Sequence, residues 1–159
     1  MSIVVDLNTF SMVFDSSNSK HTKFMPVKVW IDKGDGFLLF GGTKFLKELE
    51  QSYRHLRLVR SMRDAGQAIE INSNIVDKIE AHIVAATTGK RLCNDQHVMA
   101  LLCAAGCDLL CSLDAESYPF VKDKTLYPPG APKVRIYCSP RNSDLLSRCY
   151  RSAVKNART

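Results

Sequence analysis

The run Ile3-Val4-Val5-Asp6-Leu7-Asn8 begins with three consecutive aliphatic residues, the mark of a strand covered on both faces. An aspartate follows at once, at the point where that strand leaves the sheet. A carboxylate there is costly to bury unless a cation or hydrogen-bond donors meet it. Ligands of open parallel sheets sit beyond the carboxyl ends of the strands. Asp6 is therefore either a helix cap or the floor of a site.

Outward from this strand, short apolar runs alternate with helical patterns. Phe37-Leu38-Leu39-Phe40 reads as a second buried strand, closed by Gly41-Gly42. A third, weaker strand follows at Gln67–Ile71, a fourth at Asp108–Ser112 and a fifth at Val134–Cys138. Between them the sequence predicts helices: one beginning near Thr9, another over Met25–Lys33, and a long one capped by Thr43 and running to about Met62. Leu46, Leu49, Tyr53, Leu56, Val59 and Met62 give that long helix one apolar stripe, which would permit a homodimer if it stayed exposed. Further helices are expected from about Asn74 to Thr87, from Asp95 to Ala105 with Asn94 as cap, and from Ser143 to Val154. Asp15–Lys23 and Tyr118–Pro132 read as loops. Alternation of this kind makes an α/β fold, a three-layer α/β/α sandwich around a mainly parallel sheet of about five strands.

The 159 residues suit a single domain, 1–159, with a proper core. No apolar run reaches the roughly 18 residues of a membrane span, and the chain opens directly on a strand, so neither membrane nor secretion is expected. Six cysteines without a C-x-x-C pair fit reduced thiols in a cytoplasmic protein. Cys103, Cys107 and Cys111 read as small buried hydrophobes rather than metal ligands. The net charge is +6, and Lys133–Thr159 alone carries that excess: Lys133, Arg135, Arg141, Arg148, Arg151, Lys155 and Arg158 face only Asp144. Arg54, Arg57, Arg60 and Arg63 form a second basic set. Both suit a polyanionic partner, and both equally suit solvated helix faces.

Two strands end in a carboxylate, Asp6 and Asp114. Asp95 opens one helix, and Glu48 lies one turn into another. Strand ends and the starts of the following helices share one edge of a parallel sheet, so all four acids are expected on one rim. Crowded carboxylates raise one another's pKa. Grouped hard oxygen donors are what Mg²⁺ or Mn²⁺ requires.

The same residues resemble a family. Ile3-Val-Val-Asp-Leu-Asn8 is similar to the opening signature of PIN-domain nucleases. Asn94-Asp95-Gln-His97-Val-Met-Ala-Leu101 followed by Gly106-Cys-Asp-Leu-Leu-Cys-Ser112-Leu-Asp114-Ala-Glu116 resembles their second half, and Gly41-Gly-Thr-Lys-Phe-Leu-Lys-Glu48-Leu resembles their central helix. The likeness runs in order over roughly Ser2 to Cys138. It implies an endoribonuclease that uses Mg²⁺ or Mn²⁺ to activate water against a phosphodiester of single-stranded RNA. Many such enzymes are toxins of toxin–antitoxin modules, so an antitoxin protein is an implied partner. By position, Asp6, Glu48, Asp95 and Asp114 would be the catalytic and metal-binding acids, with Glu116 as a further acid. Asn8 and Ser112 would be supporting polar groups, and Arg54, Arg57, Arg60 and Arg63 would contact phosphates. Glu50 competes with Glu48 for the glutamate position, although the stripe through Leu49 favours Glu48. The alternative is a PIN-like module that binds nucleic acid or protein without catalysis.

Overall fold

The computed structural model describes residues 1–146. Five strands, β1 (Ser2–Val5), β2 (Phe37–Gly41), β3 (Ala68–Ile71), β4 (Leu109–Cys111) and β5 (Arg135–Tyr137), form one sheet in the order β3-β2-β1-β4-β5. Every neighbouring pair is parallel. β1 lies at the centre, and Ile3, Val4 and Val5 are fully buried, which explains why its apolar residues do not alternate with polar ones.

The chain steps from β1 to β2 to β3 in one direction and then crosses back to place β4 on the other side of β1. Right-handed crossovers therefore put the helices of the two halves on opposite faces. After a 3₁₀ turn at Leu7–Thr9, α1 (Phe10–Phe14) packs on α2 (His21–Asp32). α4 (Tyr53–Asp64) joins this layer, its His55 ring 5.3 Å from that of Phe10. The other layer pairs α5 (Ser73–Ala86) with α6 (Gln96–Ala104). The α/β/α sandwich expected from the alternation of elements is what forms.

Some expectations are corrected. The long helix from Thr43 to Met62 is two helices, α3 (Thr43–Glu50) and α4, broken where the backbone of Ser52 turns extended and its hydroxyl accepts the His55 N–H. Thr43 is not the cap of α3. Gly42 holds that position with φ at 89°, and Asp77 of α5 accepts from the Thr43 N–H at 2.9 Å. The apolar stripe packs into the chain's own core: Leu49, Val59 and Met62 are buried, and only Tyr53 remains largely exposed, at 71%. It offers no free dimer face. α2 begins at His21 rather than Met25, because Pro26 is accommodated inside the helix. The expected loop after Tyr118 contains α7 (Tyr118–Val121) and a 3₁₀ turn at Lys124–Leu126. Pro140–Leu146 is 3₁₀, and the helix expected to Val154 lies beyond Leu146, outside the described residues. So do Arg148, Arg151, Lys155 and Arg158 of the basic tail. Within the described part, Arg135 pairs with Asp108 at the start of β4.

Among the described residues no helix is long and apolar enough to cross a membrane. Cys107 and Cys111 are buried, Cys103 is half-buried, and none of the three is disulfide-bonded among the described residues.

Candidate active site at the sheet switch point

The strand order reverses between β1 and β4, the crevice in which open α/β sheets bind ligands. Asp6 leaves β1 here. It is 6% exposed, and its two oxygens do different things. One accepts the Asn8 N–H in a long 3.5 Å bond that caps the following 3₁₀ turn; the other accepts the Ser112 hydroxyl at 3.2 Å. Asp6 is thus both cap and site floor. Ser112, buried at the end of β4, also accepts the Asp114 N–H at 3.1 Å. One hydroxyl therefore ties the carboxylate of β1 to the backbone carrying Asp114. Asn8 supports Asp6 through its main-chain amide, while its side chain is exposed at the mouth of the cleft.

Glu48 comes from α3, which the Gly41-Gly42 pair allows to dock closely. A Cβ on Gly41 would sit 2.4 Å from the Ile71 carbonyl oxygen, and one on Gly42 2.6 Å from Val76 Cγ1. Glu48 faces the cleft while Glu50 is exposed and does not line it, which separates the two candidates. Asp95 is the N-cap residue of α6, displacing Asn94 from the expected role, yet its carboxylate makes no capping bond. The side chain is free to face Asp6.

Asp6, Glu48 and Asp95 line one cleft of about 580 Å³ together with Lys44, Asn94 and His97. Asp114 acts on it from the β4 side. Burial holds the Asp6 carboxyl above its ordinary range, against the Asn8 and Ser112 hydrogen bonds, and the charges of Asp114 and Glu48 add to the rise. Burial likewise pushes Asp95 up to about 6, with Asp6 and Asp114 adding and a hydrogen bond from Ser117 opposing. Among the described residues, no Lys or Arg makes an ion pair with Asp6, Asp95 or Asp114. Glu116 is exposed and outside the cleft, so the structure does not bring it into the group.

The sequence offers His97 only as a residue two past Asp95 that could touch substrate or merely pack, and it does not single out Ser117 or Glu80. His97 is 5% exposed, and its Nε2 lies 3.0 Å from Glu48 Oε2. Its Nδ1 is buried without a hydrogen-bond partner among the described residues, and burial pushes the imidazole pKa down against the pull of Glu48. In the neutral ring, which burial favours, Nε2–H donates to Glu48 and Nδ1 is bare. Ser117 is 1% exposed, donates to the Asp114 carbonyl at 2.8 Å and supports Asp95. Glu80 of α5 is pushed up by burial, with Glu48 among the charges acting on it. The only available signal was the i, i+2 spacing of Asp95 and His97; nothing local pointed to Ser117 or Glu80.

The arginines do not form one face. A step of three residues turns by about 60° on a helix, so the row spreads over half a turn. Arg54 pairs with Asp15 at 3.1 Å, Arg57 lies over the Tyr53 ring at 5.6 Å, Arg60 is exposed, and Arg63 reaches Glu70 of β3 at 3.8 Å.

The donor set is all oxygen, from four separate elements, and its chemistry fits a hard divalent cation. As positioned, no three His, Cys, Asp or Glu side chains among the described residues close around a point where they could hold one ion. The carboxylates lie in one another's field without being gathered onto a centre. Comparison with protein-family models, curated proteins and solved structures returns no significant match.

Proposed function

We propose that this protein is an Mg²⁺- or Mn²⁺-dependent endoribonuclease acting on single-stranded RNA. The observation that carries the proposal is the placement of Asp6, Glu48 and Asp95 on one cleft at the β1/β4 switch point within the field of Asp114, with burial and mutual repulsion raising Asp6 and Asp95 and, among the described residues, no Lys or Arg paired to either. The resemblance of the motifs around these acids to PIN-domain nucleases supports the same reading. Asp6, Glu48, Asp95 and Asp114 would hold the ion, which supplies Lewis acidity toward water and neutralises charge on the phosphodiester. The chain's own work is orientation. Ser112 aims Asp6 and fixes the turn carrying Asp114, His97 aims Glu48 by donating from Nε2, and Ser117 restrains Asp95. Lys44 at the mouth of the cleft supplies a positive charge for an incoming phosphate. The proposed setting is cytoplasmic, in keeping with cysteines that are not disulfide-bonded among the described residues. An antitoxin protein is the partner that the resemblance implies.

A second reading, a PIN-like module that binds without cutting, is favoured by the lack of a ready three-ligand group among the described residues. One assay separates them. Purified protein is expected to cut single-stranded RNA with Mn²⁺ or Mg²⁺ and to stop with EDTA, and Asp6→Asn and Asp114→Asn each abolish cutting while circular dichroism stays unchanged. RNA binding without metal-dependent cleavage would establish the second reading.

A further inference from the structure

A second cleft, of about 480 Å³, opens beside the acids, bordered by Phe14, Asp15, Tyr53, Arg54, His55 and Arg57. His55 borders both cavities, so the two lie side by side at the start of α4. Its size falls within the range of about 300–1,000 Å³ typical of small-ligand sites. Tyr53 is 71% exposed, with the Arg57 guanidinium over its ring at 5.6 Å. An aromatic ring left this open costs solvation and contributes nothing to the core, in contrast to the other stripe residues. A stacking ring next to cations is how proteins hold single strands without reading sequence.

We propose that this cleft is a stacking subsite for one nucleotide of the RNA strand whose scissile phosphate lies at the acid cleft, with Tyr53 as platform and Arg57 as phosphate contact. The proposal rests on the nuclease reading and extends it. An acidic peptide fits less well. Asp15, kept ionised by its hydrogen bonds from Ser17, already neutralises Arg54, and burial pushes the His55 pKa down. Arg57 is then the main uncompensated charge in the cleft, too little for a run of carboxylates but enough for one phosphate beside a stacked base.

The test is fluorescence anisotropy of a fluorescein-labelled oligouridylate in EDTA, paired with steady-state cleavage of the same strand in Mn²⁺. Tyr53→Ala is expected to weaken binding roughly tenfold and to raise KM, and Tyr53→Phe, which keeps the ring, to restore both. Arg57→Ala lowers affinity and reduces the log–log salt slope by about 0.7, the single-strand value for one lost phosphate contact. Because Tyr53 is a surface residue, unchanged circular dichroism is expected throughout. If wild type binds and cuts but Tyr53→Ala and Arg57→Ala do so equally well, the subsite is overturned while the nuclease reading stands. If wild type binds without cutting and Tyr53→Ala weakens that binding, the subsite is upheld and the nuclease reading falls. If wild type neither binds nor cuts, both fall. Binding of a polyglutamate peptide in place of the oligonucleotide, lost in Arg57→Ala, would overturn the subsite in favour of an acidic protein segment.

Discussion

Replacing Asp95 by Asn is expected to make the metal-free protein more stable while removing the proposed metal-dependent cleavage. Asp95 is held to about 6, chiefly by burial and then by Asp6, against an ordinary value of 3.8. Between those values the folded chain keeps a proton that the unfolded chain has lost. Stability therefore falls as pH rises through that window and is flat above it. At full strength the difference is about 3 kcal/mol of destabilisation above pH 6. Asp95 is only partly buried, and solvent screening reduces this to about 1–1.5 kcal/mol. Asparagine removes the charge while nearly keeping the size of the side chain. At about 2–4 °C per kcal/mol for a chain of this size, Asp95→Asn should raise Tm by roughly 2–6 °C in EDTA at pH 8. The advantage should shrink as pH falls through this window and vanish below about pH 3.8, where the folded and unfolded chains both hold the proton. Calorimetry in EDTA across this range measures both, and Mn²⁺ provides the complement: it should raise the Tm of wild type but not of the variant. A variant less stable than wild type at pH 8, or one equally advantaged at pH 8 and at the acid end of the range, would refute the argument that Asp95 is a strained carboxylate in a crowded acid group.

Three more outcomes follow from the same geometry. Ser112→Ala leaves Asp6 and the Asp114 amide each short of a partner, which should cost about 1–2 kcal/mol in urea unfolding and lower cleavage by about tenfold to a hundredfold. His97→Ala frees Glu48 and should raise the Mn²⁺ concentration needed for half-maximal cleavage about tenfold; His97→Gln, which keeps one N–H donor, should recover part of the loss. Gly42→Ala meets both a positive φ and the Val76 methyl, so denaturant unfolding should show a loss of about 2–4 kcal/mol together with weaker Mn²⁺ stabilisation, because α3 carries Glu48.

Much of the architecture was legible because its causes are local. A short apolar run such as Ile3-Val4-Val5 can be buried on both faces only inside a covered sheet, and Gly34, Gly41-Gly42, Gly66 and Gly106 mark where elements stop. Alternation of strand and helix then leaves one parallel sheet, and strand ends such as Asp6 and Asp114 must emerge at the same edge. Those steps required nothing beyond neighbours in the chain.

The rest depended on partners distant in sequence. Ser52 divides α3 from α4 although the 3.6-residue periodicity runs through it, because a local hydroxyl cap outweighs a continuous stripe when both halves can still reach the core. Glu48 and Glu50 are two residues apart, and only the docking of α3 against α5 and α6, at glycines with no Cβ to obstruct it, decides which one faces His97. The Asp95 carboxylate lies at a helix start, where capping is the ordinary use of an acid; its site role depends on burial and on the field of Asp6, both set by strands it never adjoins in sequence. By itself, the amino-acid sequence determined which acids reach the rim of the sheet. Only the tertiary structure decided which of them share a cleft, because burial and charge coupling belong to the neighbours that folding brings together.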